Sequence, residues 1–144
     1  MKEIIAGVAG EADIEVTHDT LASRWGSGAV EVFSTPALIG LMEAAASRAL
    51  EPYLDPGETT VGSLVNVAHL APTPAGLKVK ARATLVEVAG RKMVFKVEAW
   101  DDHEKVGEGT HERFVVDRER FLSKAKKKVT LPENPQGIHR DRVV

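Results

Sequence analysis

Residues 36–50 read PALIGLMEAAASRAL, rich in helix formers and apolar on nearly every side of a helix. A helix without a polar face is a buried helix rather than a surface one. Thr35 followed by Pro36 fits an N-cap and a first helical position. Pro52, Pro56 and Gly57 predict that the helix stops near Glu51. Beyond it the period of the pattern falls to two. Residues 59–71, 77–88, 92–101 and 105–116 are rich in Val and Thr, alternate with polar positions, and are separated by turn residues such as Gly76 and Gly90. Long strands joined by short turns predict an antiparallel meander. Before the helix, residues 13–17 alternate as a short strand. Residues 18–34 read as irregular, with a brief strand at 29–33. Residues 117–129 predict a helix with a basic end, and 130–144, with Pro132, Pro135 and Gly137, a loose tail.

This order of elements is α+β: one long helix against an antiparallel sheet. A fully buried helix needs more cover than one small sheet supplies, and such a sheet leaves edge strands to protect. A homodimer, able to pair further into a tetramer, answers both needs. The predicted organisation is one domain over residues 1–129 followed by the tail at 130–144.

Composition narrows the function. The 144 residues are 43% hydrophobic and carry a formal net charge of −2, from 19 basic and 21 acidic side chains. That balance argues against sequence-independent nucleic-acid binding, which calls for a strongly basic face. No cysteine is present, which excludes disulfides, thiolate zinc sites and a cysteine nucleophile. The charged N-terminal stretch does not read as a signal peptide, and no apolar run reaches the ~20 residues of a membrane span. The expectation is a cytoplasmic protein with neither membrane nor nucleic-acid partners. No Walker loop, GxGxxG turn, GxSxG elbow or HExxH pair occurs, so no cofactor and no metal is expected.

Several polar residues stand out against this background. Glu43 is the only charged residue between Pro36 and Ser47. A carboxylate in such surroundings needs a partner or a shifted pKa. It is either a general base that orients water or a structural residue paired with Arg48. His69 closes a strand whose alternation places Val61, Ser63, Val65, Val67 and His69 on one face. It is either an acid–base group or a satisfied core histidine. Thr35 is a helix cap, or a hydroxyl at the positive end of a helix that needs an adjacent base to act as a nucleophile. In GTHER, His111 and Arg113 share one strand face; the plain reading is a solvated, charged face.

The stretch VFSTPALIGLMEAAASRALEPYLDPGETTVGSLVNVAHLAPTPAGLKV, together with GEGTHERFVVDRERF, resembles the fluoroacetyl-CoA thioesterase-like family of hotdog-fold acyl-CoA thioesterases. The resemblance extends over about residues 17–128. It implies a long central helix wrapped by an antiparallel sheet, a dimer, and hydrolysis of a short or medium acyl-CoA thioester to free acid and CoA. It also implies a catalytic set at Thr35, Glu43 and His69, with Gly62 near the thioester carbonyl and Phe33 as a further substrate contact. The expected roles are activation of water or direct attack by Glu43, protonation of the departing thiolate by His69, and fixing of Glu43 or the carbonyl by Thr35. The helix N-terminus and the Gly62 backbone would assist the oxyanion. Ala29 stands where the fluoroacetyl-specific member has an aromatic lid. Arg24, Arg91, Lys92 and Arg113 are candidates for the CoA phosphates by charge alone. Two alternatives remain: a non-catalytic acyl-CoA-binding hotdog protein and, disfavoured by Thr35–Pro36 at the helix start, an acyl-CoA dehydratase.

Overall fold

The structure, a computed structural model, describes residues 1–134; the last ten positions of the expected tail lie outside the described residues. The chain forms strand β1 (Ala9–Glu15), short helix α1 (Ala22–Trp25), helix α2 (Thr35–Leu50), strands β2 (Glu58–His69), β3 (Lys78–Ala89), β4 (Lys92–Trp100) and β5 (Lys105–Asp117), and helix α3 (Arg118–Lys126). The five strands make one antiparallel sheet in the order β1-β3-β4-β5-β2, curled around α2. No helix among the described residues is long and apolar enough to cross a membrane.

Period-two burial on the central strands explains why the sheet holds the helix. On β3, Val79, Ala81, Ala83 and Leu85 point inward; on β4, Met93, Phe95, Val97 and Ala99 do the same, and all eight are at most 1% exposed. Against them α2 packs Leu38, Met42, Ala45, Ala46, Ala49 and Leu50. The alanines let the helix lie close. At β1, a Cβ on Gly10 would fall 2.6 Å from the Ala49 nitrogen and closer still to the Ala45 carbonyl, so only glycine admits this approach.

The expectation of a helix buried on every side is corrected in one respect. Pro36, Ile39, Gly40, Glu43 and Ser47 form a stripe along α2 that the chain covers only in part or not at all. It lies at helical spacing and borders edge strand β2, where Leu64 and Val65 are 45% and 39% exposed.

Three local expectations also change. Residues 29–33 form no strand; Phe33 makes only an isolated bridge with Leu21. The N-cap is Ser34, not Thr35: the Ser34 side chain accepts from the Ala37 amide at 3.2 Å. The predicted C-terminal helix divides into α3, capped by Asp117, and a 3-10 turn at Lys127–Val129.

Candidate active site

Because Ser34 takes the capping role, the Thr35 hydroxyl is left free. It meets His69 at the end of β2, with Oγ1 2.8 Å from Nδ1. Its proton can be donated to Nδ1 when the imidazole carries its own proton on Nε2. That Nε2 is buried and has no hydrogen-bond partner among the described residues. Burial pushes the His69 pKa below its ordinary value; the Ala71 backbone opposes the shift without forming a hydrogen bond of normal geometry. The imidazole is thereby kept neutral and able to accept a proton near pH 7. Thr35 and His69 share a cleft of about 300 Å³ with Val32, Leu70, Ala71 and Pro72.

Phe33 does not line this cleft. It is fully buried in the core, with its amide bonded to the Thr73 carbonyl, so it supports the wall that Val32 presents. The expected substrate contact at Phe33 is corrected accordingly. The helix N-terminus also offers less than a row of free donors, since Pro36 has no N–H and Ser34 takes those of Ala37 and Leu38. Its dipole remains.

Glu43 belongs to a second cluster. Eight residues along α2 from Thr35, it is displaced by about 12 Å along the helix axis. Its Oε2 lies 3.5 Å from Nη1 of Arg113, and its side chain is 40% exposed where Arg113's is 9%. The expected structural partner does not hold it: Arg48 donates to the Glu11 carbonyl. Gly62 lies against it, since a Cβ there would sit 2.5 Å from Oε2 of Glu43 and 3.3 Å from Nη1 of Arg113.

A bulge brings these groups to one side of the sheet. Gly62 and His69 are seven residues apart, and an odd spacing in a regular strand puts two residues on opposite faces. The register of β2 against β5 shifts between Gly62 and Leu64. Gly62 then pairs with Arg113, Val65 with His111, Val67 with Gly109 and His69 with Gly107. Directly paired residues share a face, so Gly62, Val65, Val67 and His69 all turn toward α2. Val61, paired with Phe114, turns away, which corrects the simple alternation.

The solvated face expected for GTHER is also corrected. His111 and Arg113 are 1% and 7% exposed. Arg113 donates from Nε to Thr60 Oγ1 at 3.0 Å, and from Nη2 to the Thr60 carbonyl at 3.1 Å. A guanidinium held this way is part of the site floor and cannot serve as a rim for CoA phosphates. Of the other rim candidates, Arg91 pairs with Glu58 and Lys92 with Glu112. The signal for Arg113 was present in the strand period: Glu108, Thr110 and Glu112 occupy the other parity, leaving 111 and 113 to face inward.

A curled antiparallel sheet around one long helix, with a Thr–His pair at the helix start, defines a hotdog-fold protein of the thioesterase type. The chain belongs to the fluoroacetyl-CoA-specific thioesterase family, whose model matches residues 16–119. A curated fluoroacetyl-CoA thioesterase of Streptantibioticus cattleyicolor is 46% identical over 98 residues, covering 68% of this chain and 70% of the relative. The structure of the fluoroacetyl-CoA thioesterase FlK superposes with a TM-score of 0.84 at 36% identity, covering 91% of this chain and all of that one. A variant of that enzyme has been crystallised with fluoroacetate and CoA. A hot-dog-like protein from Thermanaerovibrio acidaminovorans superposes with a TM-score of 0.78 at 26% identity, covering 85% of this chain and 91% of the other.

Proposed function

We propose that this chain is a cytoplasmic, homodimeric thioesterase that hydrolyses short or medium acyl-CoA thioesters through an acyl-threonine. The observation that carries this reading is the 2.8 Å contact between Thr35 Oγ1 and His69 Nδ1. A hydroxyl within hydrogen-bond reach of a neutral imidazole is an activated nucleophile. As Oγ1 bonds to the thioester carbonyl carbon, its proton passes to Nδ1. The C–S bond then breaks and the thiolate takes that proton from His69. Water then attacks the acyl ester: its hydroxyl goes to the acyl carbon, one of its protons goes to Thr35 Oγ1 as the ester bond breaks, and the acid is released.

Glu43 is assigned to the water step. The separation of about 12 Å along α2 keeps it from the Thr35–His69 pair of its own chain. The uncovered stripe on α2 and the exposed apolar edge of β2 fit a second copy, whose Glu43 would complete the set. Ala29, exposed in the loop before α2, offers no aromatic gate, so non-fluorinated acyl groups are expected to enter. Thiol release from acetyl-, fluoroacetyl-, butyryl-, hexanoyl- and phenylacetyl-CoA tests the activity. Turnover of at least one ester is expected, falling 100-fold or more in Thr35→Ala, in keeping with the ~10²–10⁴-fold contribution of general acid–base catalysis. No turnover across the panel, with CoA esters still raising Tm, would instead favour an acyl-CoA binder.

A further inference from the structure

Among the described residues His111 is the largest fully buried polar side chain, and nothing in the thioesterase reading uses it. It joins two features that the site depends on. Its Nδ1 is 2.8 Å from the carbonyl oxygen of Leu64, the residue at which the β2 bulge ends. Its Nε2 is 3.2 Å from Nη1 of Arg113, the same nitrogen that faces Glu43.

These partners dictate the tautomer. A carbonyl only accepts and a guanidinium N–H only donates. Both bonds form together only if Nδ1 carries the proton and Nε2 presents its lone pair, so the ring is neutral. We infer that His111 is a positioning residue for the thioester reaction: it bridges the β2 bulge to Arg113 and thereby aims the guanidinium that holds Glu43. The proposal rests on the thioesterase reading for its consequence and on the bridge geometry for its existence.

With three acceptors from Thr60 and His111 holding its fork, Arg113 can face Glu43 without closing a bidentate pair. One carboxylate oxygen stays available to water. Protonation of His111 would set an N–H against the Arg113 N–H and break the bridge. Burial is the main cause that pushes its pKa down; Arg113 on β5 acts in the same direction, while the Leu64 carbonyl on β2, Glu43 on α2 and Glu112 on β5 oppose it. From β4 the paired residue is Phe95, which is apolar and fully buried. The bridge is therefore intact at neutral pH and opens on acidification.

Two readouts test this separately. In long-range ¹H–¹⁵N spectra of the wild-type protein, His111 should show a protonated Nδ1 and a bare Nε2, and remain neutral as pH falls below 6.5, the ordinary histidine value. That result needs no turnover, so it stands or falls independently of the thioesterase reading. An Nε2–H tautomer, or ordinary titration near 6.5, overturns the proposal. In activity, His111→Gln keeps an acceptor for Arg113 and should retain kcat/KM within about threefold, whereas His111→Phe, assayed well below its own Tm, should lose tenfold or more. The acid limb of the pH profile should lose one proton's dependence in His111→Gln. Equal activity of the Phe and Gln variants, with the wild-type profile, overturns the positioning role.

Discussion

The Cβ that Gly62 lacks would fall 2.5 Å from Glu43 Oε2, 3.2 Å from the His111 ring and 3.3 Å from Arg113 Nη1. A methyl group there meets three side chains and no backbone, and the nearest, the 40% exposed Glu43 carboxylate, is the one able to give, so the strand itself need not move. Glu43 would be displaced from Arg113 instead. Since a misplacement of ~1 Å at a reacting group can cost ~100-fold in rate, Gly62→Ala is expected to lower kcat by about that factor with little change in Tm. Paired measurement of thiol release and thermal melting checks this; a large fall in Tm would show that Gly62 serves the fold more than the site. At this scale the sequence revealed residue types well. Thr35, Glu43 and His69 stood out because each is polar in apolar surroundings. Arg113 and His111 did not, because Thr110, His111, Glu112 and Arg113 are all polar or charged: the strand period says which of them share a face, and only tertiary packing says which face is buried. Their exposures of 7% and 1% reflect the contact with α2 and Thr60, which no local pattern contains.

Among the elements, the central helix and the last four strands follow directly from hydrophobic period, whereas β1 runs Ala9–Glu15 and so begins four residues before the strand expected at 13–17. Helix α2 spans Thr35–Leu50 as its apolar run predicts, and β2 to β5 lie within two residues of their expected bounds. Single-residue offsets escape such reasoning, and here they shape the candidate site. Ser34 and Thr35 are both competent N-caps; the chain resolves the competition by capping with Ser34 at 3.2 Å, which frees Thr35 for His69. The bulge between Gly62 and Leu64 is a second offset of one residue. Without it, Gly62 and His69 would face opposite sides of the sheet, and the two halves of the site could not both approach α2. An extra residue in a strand re-aims everything beyond it, yet SLVNV reads as an ordinary strand because the alternating pattern stays plausible on either side. Phe33 shows the converse. The family resemblance implied a substrate contact there, but full burial and the Thr73 bond make it part of the core.

For the whole molecule, the uncovered stripe on α2 and the apolar edge of β2 are contiguous features of one side. A row of unpaired backbone groups on an edge strand is a template for another strand. A second copy placed there would extend the sheet and bring its own α2 stripe, with Glu43, toward the first. Light scattering after size exclusion should then give twice the chain mass of 15.5 kDa for the wild type. Val65→Lys, placing a charge in the 39% exposed edge position, should shift the population toward the single chain and reduce turnover in parallel. A monomeric wild type with full activity would mean that one chain holds a complete site.

The central claim is that the acyl group passes through Thr35. Intact-mass spectrometry of the Glu43→Gln variant, acid-quenched after mixing with butyryl-CoA, tests it directly. With the water step slowed, one butyryl group should accumulate per chain, map to Thr35, and be absent when Thr35→Ala is added. A butyryl adduct on Glu43 in the wild type, or wild-type turnover by Thr35→Ala, would contradict it and return the nucleophile's role to the carboxylate or to water.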